Sequence, residues 1–313
     1  NFSKIKQVQI VACGTSYNAG LVAKYWLEDI AKIPCNIEVA SEYRYRRPIL
    51  LNDTLFITLS QSGETADTVE ALKAAKIINN NISTLCITNS AESSLTRLSD
   101  LTFLTHAGPE IGVASTKAFT TQLVSLALLT CSIGKLKKTV SKNQEKDIVD
   151  GLKRLPGLIN ESLLQEKQIK DLALRFKDKT SVLFLGRGTM HAIAMEGALK
   201  LKEISYIHAE AYPAGELKHG PIALIDKNMP VIAIAPNDGL LDKLKSNLHE
   251  VKSRGSQMIV FEDKNSKIDP MEAMEVIQIT SNLGRITAPI IFTIPLQLLS
   301  YHVALIKKTD VDK

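Results

Sequence analysis

The sequence has little of what marks nucleic-acid binding, disulfide scaffolds or metal sites. Aromatic residues are 5% of the 313 residues, and no basic stretch is interleaved with them. Nucleic acid is therefore not an expected partner, although the net charge is +5. The four cysteines are far apart, with no CxxC and no metal-ligand spacing. They lie in apolar stretches, so we expect buried free thiols and a cytoplasmic location.

Signals for export and membrane insertion are also missing. The N-terminus has no signal-peptide pattern. The most apolar late segment, residues 288–306, contains Pro289 and Pro295. We predict a buried strand followed by a helix there, and no membrane partner. The chain begins with Asn1 rather than Met, so it is expected to be a fragment of a longer protein.

The sequence has the alternating pattern of strands and helices that is typical of a parallel α/β protein. Apolar residues make up 45% of the chain and charged residues 23%, as in globular proteins, and the length favours two domains. Apolar runs alternate with amphipathic stretches, which predicts parallel strands joined by crossover helices. Strands are expected at 6–12, 54–59, 83–88, 101–104, 181–185, 231–235, 257–261 and 277–279. Helices are expected at 17–31, 66–79, 117–133 and 191–204, and in a polar stretch over 134–179 that Pro156 divides.

An internal repeat indicates a duplicated unit. Gly14–Thr15 recurs as Gly188–Thr189, and Ala40-Ser-Glu42 recurs as Ala214-Gly-Glu216, both displaced by 174 residues. We predict two tandem, doubly wound parallel-sheet domains of the flavodoxin-like type. The first covers 1–135, a helical linker covers 136–170, and the second domain covers 171–313. Ligands of such sheets bind at the carboxyl ends of the strands.

A Ser/Thr-rich loop follows the predicted strand 54–59 and precedes a helix. It reads Ser60-Gln-Ser-Gly-Glu-Thr-Ala-Asp-Thr68, and it lacks the lysine of the nucleotide-binding GxxxxGK[ST] loop. Backbone N–H groups, the helix dipole and the side chains of Ser60, Gln61, Ser62 and Thr65 suit a phosphate. The alternative is that these residues only cap the helix. The second copy reads Ala235-Pro-Asn-Asp-Gly239 at the corresponding place, and this difference favours a ligand.

Two further donor-rich helix starts lie in the first domain. They are Gly14-Thr-Ser16 and Gly112-Val-Ala-Ser-Thr-Lys117. Each alone is more typical of a helix cap than of a binding site. Three such clusters in one α/β unit favour a pocket for a polyhydroxylated anion.

The predicted helix 191–204 carries charges on one face. Glu196, Lys200 and Glu203 are spaced i, i+4 and i+7. One interpretation is a solvated face with weak ion pairs. The other is that the apolar neighbours enclose part of this face, where a carboxylate beside an ammonium suits proton transfer next to a carbonyl.

A histidine lies in the Gly/Pro-bounded loop 214–221. His219 follows Lys218 there, and it is either a polar surface residue or a group that moves protons during the opening of a sugar ring. No role is assigned to the five other histidines.

The segments 60–68, 110–119, 199–212 and 215–221 together resemble the isomerase half of the glucosamine-6-phosphate synthase family. That half is a tandem of two sugar isomerase (SIS) domains, and the resemblance covers essentially the whole chain. It implies conversion of fructose 6-phosphate to glucosamine 6-phosphate without a metal or organic cofactor. Full-length members also carry a glutaminase domain and form homodimers.

The resemblance also implies a role for each matching residue. Ser60, Gln61, Ser62 and Thr65 hold the phosphate with Ser16 nearby, and Val113 and Ser115 contact the sugar. Glu203 moves the proton between C1 and C2, supported by Glu196 and Lys200. His219 assists ring opening from the neighbouring subunit.

The chain differs from the family at both ends. No segment of the given sequence corresponds to the family's glutamine-hydrolysing domain, and the sequence ends at Asp310-Val-Asp-Lys313, before the family's arginine and imine-forming lysine. We therefore expect the chain alone to bind substrate better than it converts it. Two alternatives remain: an SIS-type aminosugar-phosphate deaminase or deglycase, and a non-catalytic phosphosugar-sensing regulator.

Overall fold

The structure is a computed structural model that describes residues 2–312. Asn1 and Lys313, at the outer bounds of the two predicted domains, lie outside the described residues. The described chain divides into two compact units: residues 2–110 together with 115–149, and residues 111–114 together with 150–312. The predicted boundaries near 135 and 170 stay a prediction.

The first unit is a five-stranded parallel sheet with helices between its strands. Its elements are β1 (Gln7–Ala12), α1 (Gly14–Asp29), β2 (Cys35–Val39), α2 (Ala40–Tyr43), β3 (Thr54–Ser60), α3 (Ala66–Ile78), β4 (Ser83–Thr88), α4 (Ser94–Leu98), β5 (Leu101–Leu104) and α5 (Lys117–Leu136). The strand order is β2-β1-β3-β4-β5. The central strand β3 is buried along its whole length, which is why its sequence is a nearly continuous apolar run.

The second unit repeats this arrangement. It contains residues 150–163 of a long helix, α6 (Lys142–Leu163). The elements that follow are α7 (Glu166–Ala173), β6 (Ser181–Gly186), α8 (Thr189–Ser205), β7 (His208–Pro213), β8 (Val231–Ala235), α9 (Leu241–Lys252), β9 (Met258–Glu262), β10 (Met274–Gln278) and α10 (Thr287–Lys307). Short 3₁₀ turns span Phe2–Lys4, Leu174–Phe176, Ala214–His219 and Pro221–Leu224. The strand order β10-β9-β8-β6-β7 equals that of the first sheet. The predicted fold class is therefore confirmed.

Both sheets have a switch point between the first strand and the third. In the first unit, β1 pairs with β2 on one side and with β3 on the other. In the second unit, β6 pairs with β7 and β8 in the same way. Chain connections leave in opposite directions at such a point, which opens a crevice at the carboxyl edge of the sheet.

Several predicted details are wrong. Pro156 does not divide the polar stretch, because α6 continues through it and buries Leu155 and Leu158 on either side. Residues 288–306 contain no strand: α10 is one helix, and the apolar side chains it buries outweigh the cost of Pro295 inside it. The predicted Gly/Pro-bounded loop 214–221 lies in the connection between β7 and β8, and 3₁₀ turns form at Ala214–His219 and Pro221–Leu224.

The cysteines are free, as expected, but not all are buried. Cys35, Cys86 and Cys131 are buried, and burial raises the pKa of Cys35 to about 12 and that of Cys86 to about 11. Cys13 is only half-buried because it is the residue before α1, at the carboxyl edge of the sheet.

Two helices have the length and apolar composition of a membrane span. They are α5 and α10, and 61% and 67% of their most apolar windows are buried inside the fold. Core helices of globular proteins pass the same test, so this is weak evidence for a membrane span.

Candidate active site

The loop after β3 is closed by its own side chains. The Ser60 hydroxyl accepts a hydrogen bond from the Gly63 backbone N–H at 3.0 Å and lies 3.0 Å from the Thr65 hydroxyl. The Ser62 hydroxyl accepts from the Glu64 N–H at 3.2 Å. These contacts draw the predicted phosphate-binding residues into one tight turn at the start of α3.

Neighbouring segments fix this loop from outside. The Gln61 carbonyl accepts from the Asn89 N–H at 3.0 Å, and the Gly63 carbonyl accepts from the Leu95 N–H at 3.1 Å. Gly63 has a φ of +69°, and a Cβ at this position would overlap with the Ser93 side chain. Only glycine suits this place, both for its conformation and for the close approach of α4.

The start of α3 bears on the choice between helix cap and binding site. Thr65 is the residue before the helix, and within the described chain its side chain makes no capping hydrogen bond. The N–H groups of the first helical turn have no partner within a helix. The alternative that these hydroxyls only cap the helix therefore fails for Thr65.

The carboxylates beside the loop are bound by other groups. Asp67 pairs with Arg44 at 2.8 Å. Glu64 accepts from the Ser94 N–H at 2.7 Å, and hydrogen bonds from the Ser94 hydroxyl and backbone lower the pKa of Glu64. These partners offset negative charge that would otherwise repel an anion at the helix start.

Ser16 lies across the switch point, in the first turn of α1. It is buried, and its hydroxyl accepts from the Gln122 side-chain amide at 2.9 Å. Because β1 and β3 are neighbours, the start of α1 and the Ser60 loop share the same crevice. Gln122 lies 106 residues further on, and no sequence pattern indicated this contact.

The third donor-rich helix start already binds a carboxylate of the same chain. Glu110 accepts hydrogen bonds from the Ala118 N–H at 3.0 Å and from the Thr116 N–H at 3.3 Å, and the Ser115 hydroxyl donates to it at 3.4 Å. Sequence reasoning missed this role of Glu110. Val113 is exposed and groups with the second unit, whereas Ser115 groups with the first.

The charged face of α8 is enclosed. Glu196 and Lys200 are 1% and 2% exposed, so the interpretation as a solvated face is wrong for both. The Lys200 Nζ lies 3.6 Å from Glu196 Oε1 and 2.5 Å from Glu203 Oε2. The Glu203 side chain keeps 30% of its surface exposed. One ammonium thus pairs with two carboxylates, and the outer carboxylate, that of Glu203, is partly exposed.

His219 lies apart from this cluster within one chain. It is exposed at the end of the 3₁₀ turn that follows β7, whereas Glu203 lies in the last turn of α8, just before β7. The six residues of β7 separate the two, so they lie on the order of 20 Å apart. The neighbouring Lys218 pairs with Glu250 at 2.9 Å. Within residues 2–312, no group of three or more His, Cys, Asp or Glu side chains has the arrangement of a metal site.

The fold and the loop after β3 together define a class of protein. Its members have two parallel α/β units in tandem, and one unit has a Ser/Thr-rich helix start at the switch point of its sheet. The chain belongs to the SIS domain family, whose model matches residues 1–132 and 175–307. The predicted family is therefore confirmed.

The curated relatives are longer proteins. The chain is 57% identical over 312 residues to glutamine–fructose-6-phosphate aminotransferase (isomerizing) of Pseudomonas putida. The matched region is 100% of this chain and 51% of the relative. The enzyme of the same name from Pseudomonas syringae pv. tomato is 58% identical, with the same coverage. The chain spans about half the length of the curated relatives it matches.

Solved structures give the same picture. The C-terminal domain of glucosamine-fructose-6-phosphate aminotransferase from Francisella tularensis matches with a TM-score of 0.97 and 54% identity, covering 100% of this chain and 88% of that one. A glucosamine-6-phosphate deaminase from Thermotoga maritima matches with a TM-score of 0.79 and 28% identity. The match covers 98% of this chain and 88% of the deaminase chain.

Proposed function

We propose that the chain is the sugar-phosphate isomerase part of a glucosamine-6-phosphate synthase. In the longer protein it converts fructose 6-phosphate and ammonia, released from glutamine, to glucosamine 6-phosphate and water. The 57% identity to fructose-6-phosphate aminotransferases over 312 residues carries this proposal.

The first unit binds the phosphate. Ser60, Gln61, Ser62 and Thr65 supply donors around the start of α3, and Ser16 lies at the other side of the crevice. The uncapped N-terminal turn of α3 adds backbone N–H groups and the positive end of the helix dipole. Val113 and Ser115 contact the sugar.

The second unit carries the proton transfer. After ring opening, ammonia adds to the C2 carbonyl and water leaves, which forms an imine. Glu203 then removes a proton from C1, giving an enolamine, and returns a proton to C2, so that C1 becomes the aldehyde. The buried Lys200 holds Glu203 in place, and Glu196 balances the charge of Lys200.

The proposed assembly is a homodimer in the cytoplasm, with a glutaminase domain in the full-length protein. His219 of each subunit assists ring opening in the site of the other. The mechanism uses no metal or organic cofactor, and neither nucleic acid nor a membrane is a partner.

The deaminase alternative has one specific observation in its favour, the likeness to the Thermotoga maritima enzyme at 28% identity. The 54% identity to the Francisella tularensis aminotransferase domain favours the synthase. A deaminase releases ammonia from glucosamine 6-phosphate, whereas the synthase consumes ammonia, so the favoured direction of turnover separates the two. A regulator turns over neither compound.

Glu203→Gln tests the catalytic proposal in the full-length protein. The substitution keeps the shape of the side chain but removes the base. We expect product formation to fall by at least about 100-fold, with the affinity for fructose 6-phosphate nearly unchanged. Glu216→Gln, a change at an exposed carboxylate after β7, is the matched control. Near-normal turnover of Glu203→Gln would show that the α8 cluster is only a set of ion pairs.

A further inference from the structure

The position of His219 depends on the backbone that carries it. His219 is the last residue of the 3₁₀ turn Ala214–His219, and its side chain is exposed. Within residues 2–312, the imidazole makes no hydrogen bond or ion pair to another residue. A catalytic group that is misplaced by about 1 Å costs about 100-fold in rate. Whatever fixes the turn therefore fixes the histidine.

Helix α9 fixes the second half of this turn. Leu217 is fully buried and belongs to the same core cluster as Leu248 of α9. At the next position, the Lys218 Nζ lies 2.9 Å from Oε1 of Glu250, in the last turn of α9, and the Glu250 side chain is 20% exposed. An apolar contact and an ion pair thus fix two successive residues of the turn to one helix.

The start of the turn is held by an arginine from the loop after β6. A Cβ at Gly215 would lie 3.0 Å from Nη1 and 3.2 Å from Nη2 of Arg187, so the guanidinium packs against the Gly215 backbone. The same Nη1 donates a hydrogen bond at 3.0 Å to Oδ1 of Asn247, which is buried on α9. Helix α9 therefore also fixes the guanidinium that covers the beginning of the turn.

The ion pair between Lys218 and Glu250 is not arranged for stability alone. Glu250 Oε2 is buried and has no hydrogen-bond partner among the described residues. Leaving a buried acceptor unpaired costs more free energy than a partly exposed ion pair returns. Local departures of this kind are concentrated at functional sites.

We propose that Arg187, Asn247 and Glu250 are positioning residues, which fix the turn so that His219 reaches the site of the neighbouring subunit. None of the three touches the substrate, and each acts only through the histidine. Their effect is therefore expected in the other subunit's site and not in the site that contains the Glu203 of their own chain. The inference rests on the proposed function, since it requires His219 to act across a dimer.

The α9 variant, Asn247→Ala together with Glu250→Gln, tests this in the full-length protein. It should form glucosamine 6-phosphate about 10- to 100-fold more slowly than the wild type, with a similar midpoint of urea denaturation. Glu250→Gln alone, which keeps the shape of the side chain, should lose about 3- to 10-fold. Asp242→Asn is the matched control, because Asp242 is an exposed carboxylate on the same helix, and it should leave the rate unchanged.

Hybrid dimers purified through two different affinity tags show which site the α9 variant impairs. The reference hybrid of Glu203→Gln and His219→Asn subunits has one intact site of two, so it should keep about half of the wild-type activity. A subunit with the α9 variant should behave as a His219→Asn subunit does. It should therefore recover about half of the activity with Glu203→Gln and none with His219→Asn.

The other results of these hybrids contradict the inference. Recovery with His219→Asn would mean that the α9 variant impairs the site of its own subunit, and recovery with neither subunit would mean that it damages the fold as a whole. Near-normal turnover of the α9 homodimer would equally overturn the inference and leave the proposed function standing. If the reference hybrid is inactive, the shared site of the proposed function fails, and the inference fails with it.

Discussion

Two glycines at the carboxyl edge of the first sheet show what single residues contribute to the crevice there. Gly14 and Gly63 both have positive φ, at +51° and +69°. A Cβ at Gly14 would meet no described atom within 4 Å, whereas a Cβ at Gly63 would overlap with Ser93. The two positions therefore share the conformational requirement but differ in the available space.

Alanine substitutions separate these two effects. Gly14→Ala should lower the free energy of unfolding by about 1–2 kcal/mol, because only the left-handed conformation is strained. Gly63→Ala should lower it by about 1–3 kcal/mol more, because the Ser93 side chain and α4 must also move. Urea denaturation measures both changes. Equal losses would contradict the close packing of Gly63 against Ser93.

The spacing of residues on α8 predicted which charges share a face, but not that they are buried. Glu196 and Lys200 are covered because α8 packs against β6, β7 and α10, and α10 begins more than 80 residues after Lys200. The role of Glu110 as a cap of α5 could not be predicted from the sequence for a related reason. It depends on how residues 110–116 fold back onto the start of α5, and no spacing rule encodes that path.

Whole elements were more predictable than these contacts. The buried strands β1, β3, β4 and β8 have apolar runs that identify them in the sequence. The edge strands β2 and β7 were missed, because Cys35–Val39 and His208–Pro213 mix polar and apolar residues. The internal repeat relates these two strands to each other. β1 and β6 lie 174 residues apart, and β2 and β7 lie at nearly the same displacement.

Two helical glycines should respond to alanine in opposite directions. Gly157, in α6, has no described atom within 4 Å of a Cβ, so Gly157→Ala should stabilise the protein by up to about 1 kcal/mol through helix propensity. In α8, a Cβ at Gly197 would lie 2.7 Å from Leu296 Cδ1 and 3.1 Å from Phe184 Cε1. Gly197→Ala should therefore destabilise it by about 1–3 kcal/mol.

The midpoints of urea denaturation of the two variants give the signs directly. Gly157→Ala should raise the midpoint and Gly197→Ala should lower it. A rise for both would mean that α8 and α10 do not pack as closely as described.

At the scale of the whole molecule, Glu203 and His219 lie apart within one chain. Mixing two inactive variants therefore tests whether a dimer brings these residues together in a shared site. We expect full-length Glu203→Gln and His219→Asn homodimers to be inactive. Mixed subunits should recover about a quarter of the wild-type activity, because half of the dimers are hybrids with one intact site. Sedimentation should show a dimer. No recovery on mixing, although hybrid dimers form, would place both residues in the site of one subunit.

The most direct test of the central claim, that this chain binds a phosphosugar through residues 60–65, is calorimetric titration with fructose 6-phosphate and with fructose. We expect clear binding of the phosphorylated sugar only, because the helix start of α3 and the hydroxyls around it recognise the phosphate. Ser62→Ala should weaken that binding by roughly 10- to 100-fold through the loss of a hydrogen bond to a charged group. Equal affinity for fructose and fructose 6-phosphate would contradict the claim.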